Sequence, residues 1–404
     1  MQISRLRRTG AAAATLGLAV TLAACSTPSP DDASSSSGSG SGSTTEAGGR
    51  VAVSYDGGIL VLDADTLEQV ADLDSESYTR LNLAGDGRHV MVTMSEGFQL
   101  LDTAAGSSDE PELTDTVFEA DKPGHVVRHA GKTILYADGT SDTTVFDTAA
   151  LQESEGMPEV ETVEGVDAHH GVSIVLEDGT FLTTVGDADG RTGIEVRDAS
   201  GEVVAQSDQC PGVHGEGTAE NEVVVFGCED GALLWADGEI TKLDAPDQPY
   251  GRMGNAYVSE TSPIIVGDYK DDQDAEGLLL GAVSLIDTEA RTLDVVEMPE
   301  GAEYTWRGVA RGPEEKAYVI ASDGALHVLD PETGEFTDSW PVIEPWEDPV
   351  DFQLAHPGIS IVGDLAYVTD SSAGTLSSVD LTTGDVVATA ELDVTPNEFV
   401  TVTG

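Results

Sequence analysis

The sequence predicts an all-β chain folded as a single β-propeller: eight blades are expected, and seven if one repeat is misread. Three observations carry this. A short strand ending in aspartate and a turn recurs eight times. The chain ends in a strand with no blade after it and starts with one that lacks an inner strand before it. No stretch beyond the N-terminal leader sustains a helical apolar period.

In chain order the recurring strands are "ILVLDADT" ending at Asp63, "FQLLDTAAG" at Asp102, "TTVFDTAA" at Asp147 and "IEVRDASG" at Asp198. They continue with "ALLWADG" at Asp237, "VSLIDTEA" at Asp287, "LHVLDPETG" at Asp330 and "LSSVDLTTG" at Asp380. Their spacing averages about 45 residues, the length of a blade of four short strands. Each reads as a third strand whose Asp bonds into the turn toward an outer strand such as "EQVADLD" or "DVVATAELD". A blade alone cannot bury both faces, whereas blades stacked in a ring bury them for one another. Pairing "NEFVTVTG" with "RVAVSYDGG" would complete the first blade from both chain ends.

Residues 1–24 read as an export signal, with Arg5, Arg7 and Arg8 ahead of a short apolar run. The run ends in Leu22-Ala23-Ala24-Cys25, which resembles the lipobox of bacterial lipoproteins, so Cys25 is expected to carry lipid and to anchor the chain to a membrane from outside. Residues 25–49 are rich in Ser and Gly and read as a tether, and residues 50–404 as the propeller. The expected location is extracytoplasmic, on the cell membrane.

The formal charge of −57, from 18 Lys and Arg against 75 Asp and Glu, excludes nucleic acid as a partner and favours cations. It also serves solubility. With Cys25 lipidated, Cys210 and Cys228 remain, and an oxidising exterior favours a disulfide between them over a pair of thiolate ligands.

Aligning the blades on their innermost strand puts Arg80, His125, His170, His214, Arg252, Arg307, His356 and Glu398 at one register, the mouth of the central channel. Four of these are histidine in a chain with eight. Imidazole suits Zn²⁺, and His125, His170 and His214 come from consecutive blades, so they are expected to bind it together. His356 arises from the opposite arc and would complete that site or a second one. His169 should point away from His170, either orienting it or binding elsewhere. Asp121, Asp167 and Glu216 are candidates to fix the imidazoles or to act as fourth ligands, and a disulfide at Cys210 would pin the loop presenting His214. Binding should weaken as pH falls through the imidazole range, near ~6.5.

Other chemistry is absent. "HAGKT" lacks the first glycine of a phosphate loop, which would fall at Val126, and no G-x-S-x-G, H-E-x-x-H or paired C-x-x-C occurs. The acidic loops Gly186–Gly193 and Asp268–Gly277 miss the EF-hand spacing for calcium.

The segments "KPGHVVRHAGKTILYADGT", "AHHGVSIVLEDGTF", "CPGVHGEGTAENEVVVFGCEDG" and "AHPGISIVGDLAYVTD" resemble the AztD family of exported zinc metallochaperones that accompany ABC-type zinc importers. The resemblance implies a monomeric, non-enzymatic propeller that binds Zn²⁺ and hands it to the transporter's solute-binding protein. It makes His125, His170 and His214, with His169 and His356, zinc-associated here. The chain departs from the family pattern at its N-terminus, where a His- and Asp-rich segment is replaced by the Ser/Gly tether. The competing readings are a metal-dependent propeller hydrolase or lactonase, and a non-catalytic surface interaction module.

Overall fold

The computed structural model describes residues 48–153 and 156–404. The expected leader, Cys25 and nearly all of the tether lie outside them. The described chain forms eight antiparallel sheets in a ring; in seven of them the strands follow sequence order from the inside outward, and in the first the C-terminal strand is innermost. Innermost strands touch those of neighbouring blades, including the contact between the last blade and the first.

The chain ends close the ring as expected. Blade 1 is built from the C-terminal strand Phe399–Val402 on the inside, then Arg50–Tyr55, Gly58–Asp63 and the outer Gln69–Asp74, with Arg50 opposite Val402. Blades 2 to 8 begin with the inner strands Arg80–Leu83, Pro123–His129, Ser173–Val175, His214–Thr218, Ala256–Tyr257, Val309–Arg311 and Ile359–Val362.

Burial follows position in the blade. The second and third strands of blade 1, "RVAVSY" and "GILVLD", are almost wholly buried, so they read as apolar runs. The outer strand "QVADLD" alternates because one of its faces meets water. The core lies between blades: Val51 and Leu60 pack with Tyr367 and Leu376 across blades 1 and 8, and Ala52 and Ile59 pack with Val90 and Leu101 across blades 1 and 2. Similar clusters fill the remaining junctions.

The recurring aspartates act in the turns. Asp63 Oδ1 accepts the backbone N–H groups of Asp65 and Thr66 at 3.2 and 3.0 Å, and Asp287, Asp330 and Asp380 make the same kind of turn. Asp237 differs: it adopts a left-handed conformation beside Gly238 in a tight hairpin. The α-helical content among the described residues is one turn, Ala150–Glu153, and no helix there is long and apolar enough to cross a membrane.

Candidate metal centre

His125, His170 and His214 meet, coming from the inner strands of blades 3 and 5 and from the segment leading into that of blade 4. Their ligand atoms all lie within 4.8 Å of one another. The Nε2 atom of His170 is 2.9 Å from that of His214 and 3.4 Å from that of His125, and each pair of rings is 5.0 Å apart between centroids. His125 and His214 are half-buried, and His170 is exposed.

Local irregularities aim these rings. His125 lies where the pairing of Pro123–His129 with its neighbour shifts register between Pro123 and Val126. His214 lies at a second shift, between His214 and Glu216, where Gly215 takes a φ of +62°. A bulge turns a side chain away from the direction regular alternation would give it, and here both bulged imidazoles join the cluster.

The opposite ring nitrogens are anchored. His170 Nδ1 is 2.6 Å from Asp138 Oδ2, and that carboxylate packs so closely on Gly124 that any side chain there would collide with it. His214 Nδ1 donates to the carbonyl of Gly254. A carbonyl can only accept, so Nδ1 of His214 carries the proton and its Nε2 presents a lone pair in the neutral ring. Burial first, and then the neighbouring His170, lower the His214 pKa to about 3. Burial, followed by His214 and His170, also drives His125 well below the ordinary imidazole value. Both rings are thereby kept neutral beside the third imidazole, and neutral imidazoles are the form that binds a metal.

The donor set fits zinc. Tetrahedral Zn²⁺ with Zn–N of about 2.0–2.1 Å places its nitrogens about 3.3–3.4 Å apart, so small ring movements from the observed separations suffice.

The disulfide between Cys210 and Cys228 is present, with Cα atoms 4.9 Å apart. It ties the loop before His214 to the end of the next strand. Cys228 O accepts the N–H of Met253 at 3.1 Å, next to the Gly254 that holds His214. The cross-link thus fixes both His214 and its anchor.

Two expected metal residues stand apart. His169 is buried, with Nε2 3.1 Å from Tyr136 Oη and 3.0 Å from Thr184 Oγ1, and Nδ1 2.8 Å from Asp167 O and 3.0 Å from Ser141 Oγ. Both nitrogens are occupied, because alternation turns its ring into the junction between blades 3 and 4. His356 lies beside Trp306, their rings 6.3 Å apart, and donates Nδ1–H to Leu354 O at 2.7 Å. Among the described residues its Nε2 is buried without a partner, and burial with Arg307 lowers its pKa to about 4.

The acidic candidates are also redistributed. The carboxylate on the cluster is Asp138, which sequence proximity missed because it comes from the second-to-third-strand turn of blade 3. Asp167 contributes its backbone carbonyl to His169. Glu216 has its pKa raised to about 7 by burial, with His129 opposing that rise. In the two acidic loops that miss the calcium spacing, Asp187 Oδ1 caps the N–H groups of Asp189 and Gly190, and Asp268 holds Gly254 and Asn255.

Fold and donor set define the molecule as an eight-bladed propeller in which three histidines cluster closely enough to hold a metal ion. The chain is similar to the zinc chaperone AztD of Citrobacter koseri, with 25% identity over 311 residues, covering 73% of this chain and 69% of that protein. The structure of apo AztD from Citrobacter koseri superposes with a TM-score of 0.75 at 21% identity, over 88% of this chain and 98% of that one. The same ring architecture extends to the dihydro-heme d1 dehydrogenase NirN, at a TM-score of 0.58 and 13% identity, over 88% of this chain and 75% of that one. No protein-family model matches the chain.

Proposed function

We propose that this chain is an extracytoplasmic zinc metallochaperone, tethered by lipid on Cys25, that binds Zn²⁺ through His125, His170 and His214. In this reading it acts as a monomeric carrier rather than a catalyst, and passes the ion to the solute-binding protein of an ABC zinc importer. The observation that carries the proposal is the convergence of three imidazoles, two of which, His170 and His214, are restrained from behind. The similarity to a protein named a zinc chaperone supports zinc as the cargo.

The arrangement suits a carrier in two ways. Neutral rings accept a metal without first losing protons, and rigid placement reduces the entropy lost on binding. His170 is exposed, which leaves a path by which an acceptor can reach the ion.

The test is zinc titration of residues 50–404 beside the H125A/H170A/H214A variant, followed by mixing the loaded protein with the importer's zinc-binding protein. About one tight zinc, lost in the variant and transferred faster than it dissociates into a chelator, is expected. Equal zinc binding by both proteins would overturn the site. Transfer no faster than free dissociation would overturn the hand-over.

A further inference from the structure

Cations are scarce in this chain, and many within the ring are paired. Arg50 meets Asp63, Arg88 meets Asp102, Arg197 meets Glu195 and Lys242 meets Asp230, while Arg80 and Arg307 share Glu398. Arg191 and Arg252 stand beside the histidines without such a partner: among the described residues, neither guanidinium is in an ion pair or a hydrogen bond.

Both belong to the scaffold of the metal centre. Arg191 opens the third strand of blade 4, and its carbonyl accepts the N–H of Gly212 at 3.0 Å, in the loop that leads to His214. The guanidinium of Arg252 lies directly on Gly254, whose carbonyl receives His214 Nδ1–H. Both side chains are half-buried. Their charges reach His214, and those of Arg80 and Arg191 reach His125. Of the carboxylates whose charge reaches Arg191, Asp138 is committed to His170, and Glu229 packs against Gly212.

Three neutral imidazoles leave a bound dication with its full charge, and guanidinium groups nearby repel it. In a chain with 75 carboxylate side chains, two unpaired arginines at this position call for negative charge that the ring does not supply. Three imidazoles also leave the fourth tetrahedral position open, and guanidinium groups match carboxylates in shape and charge.

We propose that Arg191 and Arg252 form an anion subsite that draws a carboxylate to the tri-histidine centre, where it serves as the fourth donor. This rests on the metal reading above. The carboxylate comes either from a small molecule or from an Asp or Glu side chain of the metal acceptor. In the second case the arginines would recruit the incoming ligand during hand-over.

The test uses Co²⁺, whose visible absorption reports ligand number and type, on the full chain and on R191Q/R252Q. Acetate is titrated in a chloride-free buffer. A saturable spectral change in the wild type, requiring at least tenfold more acetate in the variant, is expected. Without carboxylate, the variant should bind Zn²⁺ several-fold more tightly, because like charge has been removed. A peptide with blocked ends and one Glu, compared with acetate, separates the sources: response to both fits a protein side chain, and response to acetate alone fits a small molecule. Equal cobalt binding with identical acetate responses in the two proteins would overturn this inference alone. Absence of cobalt binding in the wild type would overturn the metal reading and this inference with it. The R191K/R252K variant, which keeps the charge, should retain part of the acetate response, and its failure to do so while binding cobalt normally would also count against the subsite.

Discussion

Asp138 Oδ2 lies 2.6 Å from His170 Nδ1, so a carboxylate from a turn of blade 3 orients an imidazole that precedes blade 4. Such a partner fixes the tautomer and raises the basicity of the opposite nitrogen. D138N should therefore weaken zinc binding by about 10–100-fold while the ring stays folded. Competition against a chelator, with circular dichroism as the folding control, measures both.

The adjacent histidines should separate cleanly. H170A is expected to lose tight zinc binding with little change in stability. H169A leaves Tyr136, Ser141 and Thr184 without their shared partner, and should cost about 1–3 kcal/mol of stability. Its zinc stoichiometry should be unchanged. Thermal unfolding and zinc titration of the two variants give the comparison.

The lowered pKa values of His125 and His214 set the proton balance of binding. A metal competes with protons for a nitrogen only below that nitrogen's pKa, so at pH 6 these two rings are already neutral and release none. Zinc binding there should therefore release fewer protons than binding to three free imidazoles would. Calorimetry in buffers of different ionisation enthalpy counts the protons. The onset of proton competition at these two rings should lie well below the free-imidazole range expected from sequence.

Glu398 joins the ring at its closure. It accepts from Arg80 at 3.1 Å, from Arg307 at 3.0 Å and from the Leu81 N–H at 3.1 Å, linking blades 2 and 7 to the segment entering the last strand. Burial opposes its ionisation, but the two arginines and these hydrogen bonds prevail and lower its pKa. A depressed carboxylate pKa gives stability that is present above the unfolded value and lost as pH falls through the folded one. E398Q should destabilise the ring by about 3–5 kcal/mol at neutral pH, with the difference from wild type shrinking in acid. Denaturant unfolding at several pH values checks the sign.

The sequence by itself determined the eightfold repeat, the closure of the first blade by both chain ends, and the common register of His125, His170 and His214. These properties are periodic and local: strand alternation, turn aspartates and blade length are written in neighbouring residues. Tertiary structure decided which way each ring points. It turned His169 into a blade junction, left His356 beside Trp306, and chose Asp138 over Asp121, Asp167 and Glu216 as the carboxylate on the cluster. It also placed Arg191 and Arg252 beside the histidines. The physical reason is that register fixes a residue's height along the channel, whereas its direction depends on bulges at Pro123–Val126 and His214–Glu216 and on contacts from other strands, as between Gly124 and Asp138 or His214 and Gly254.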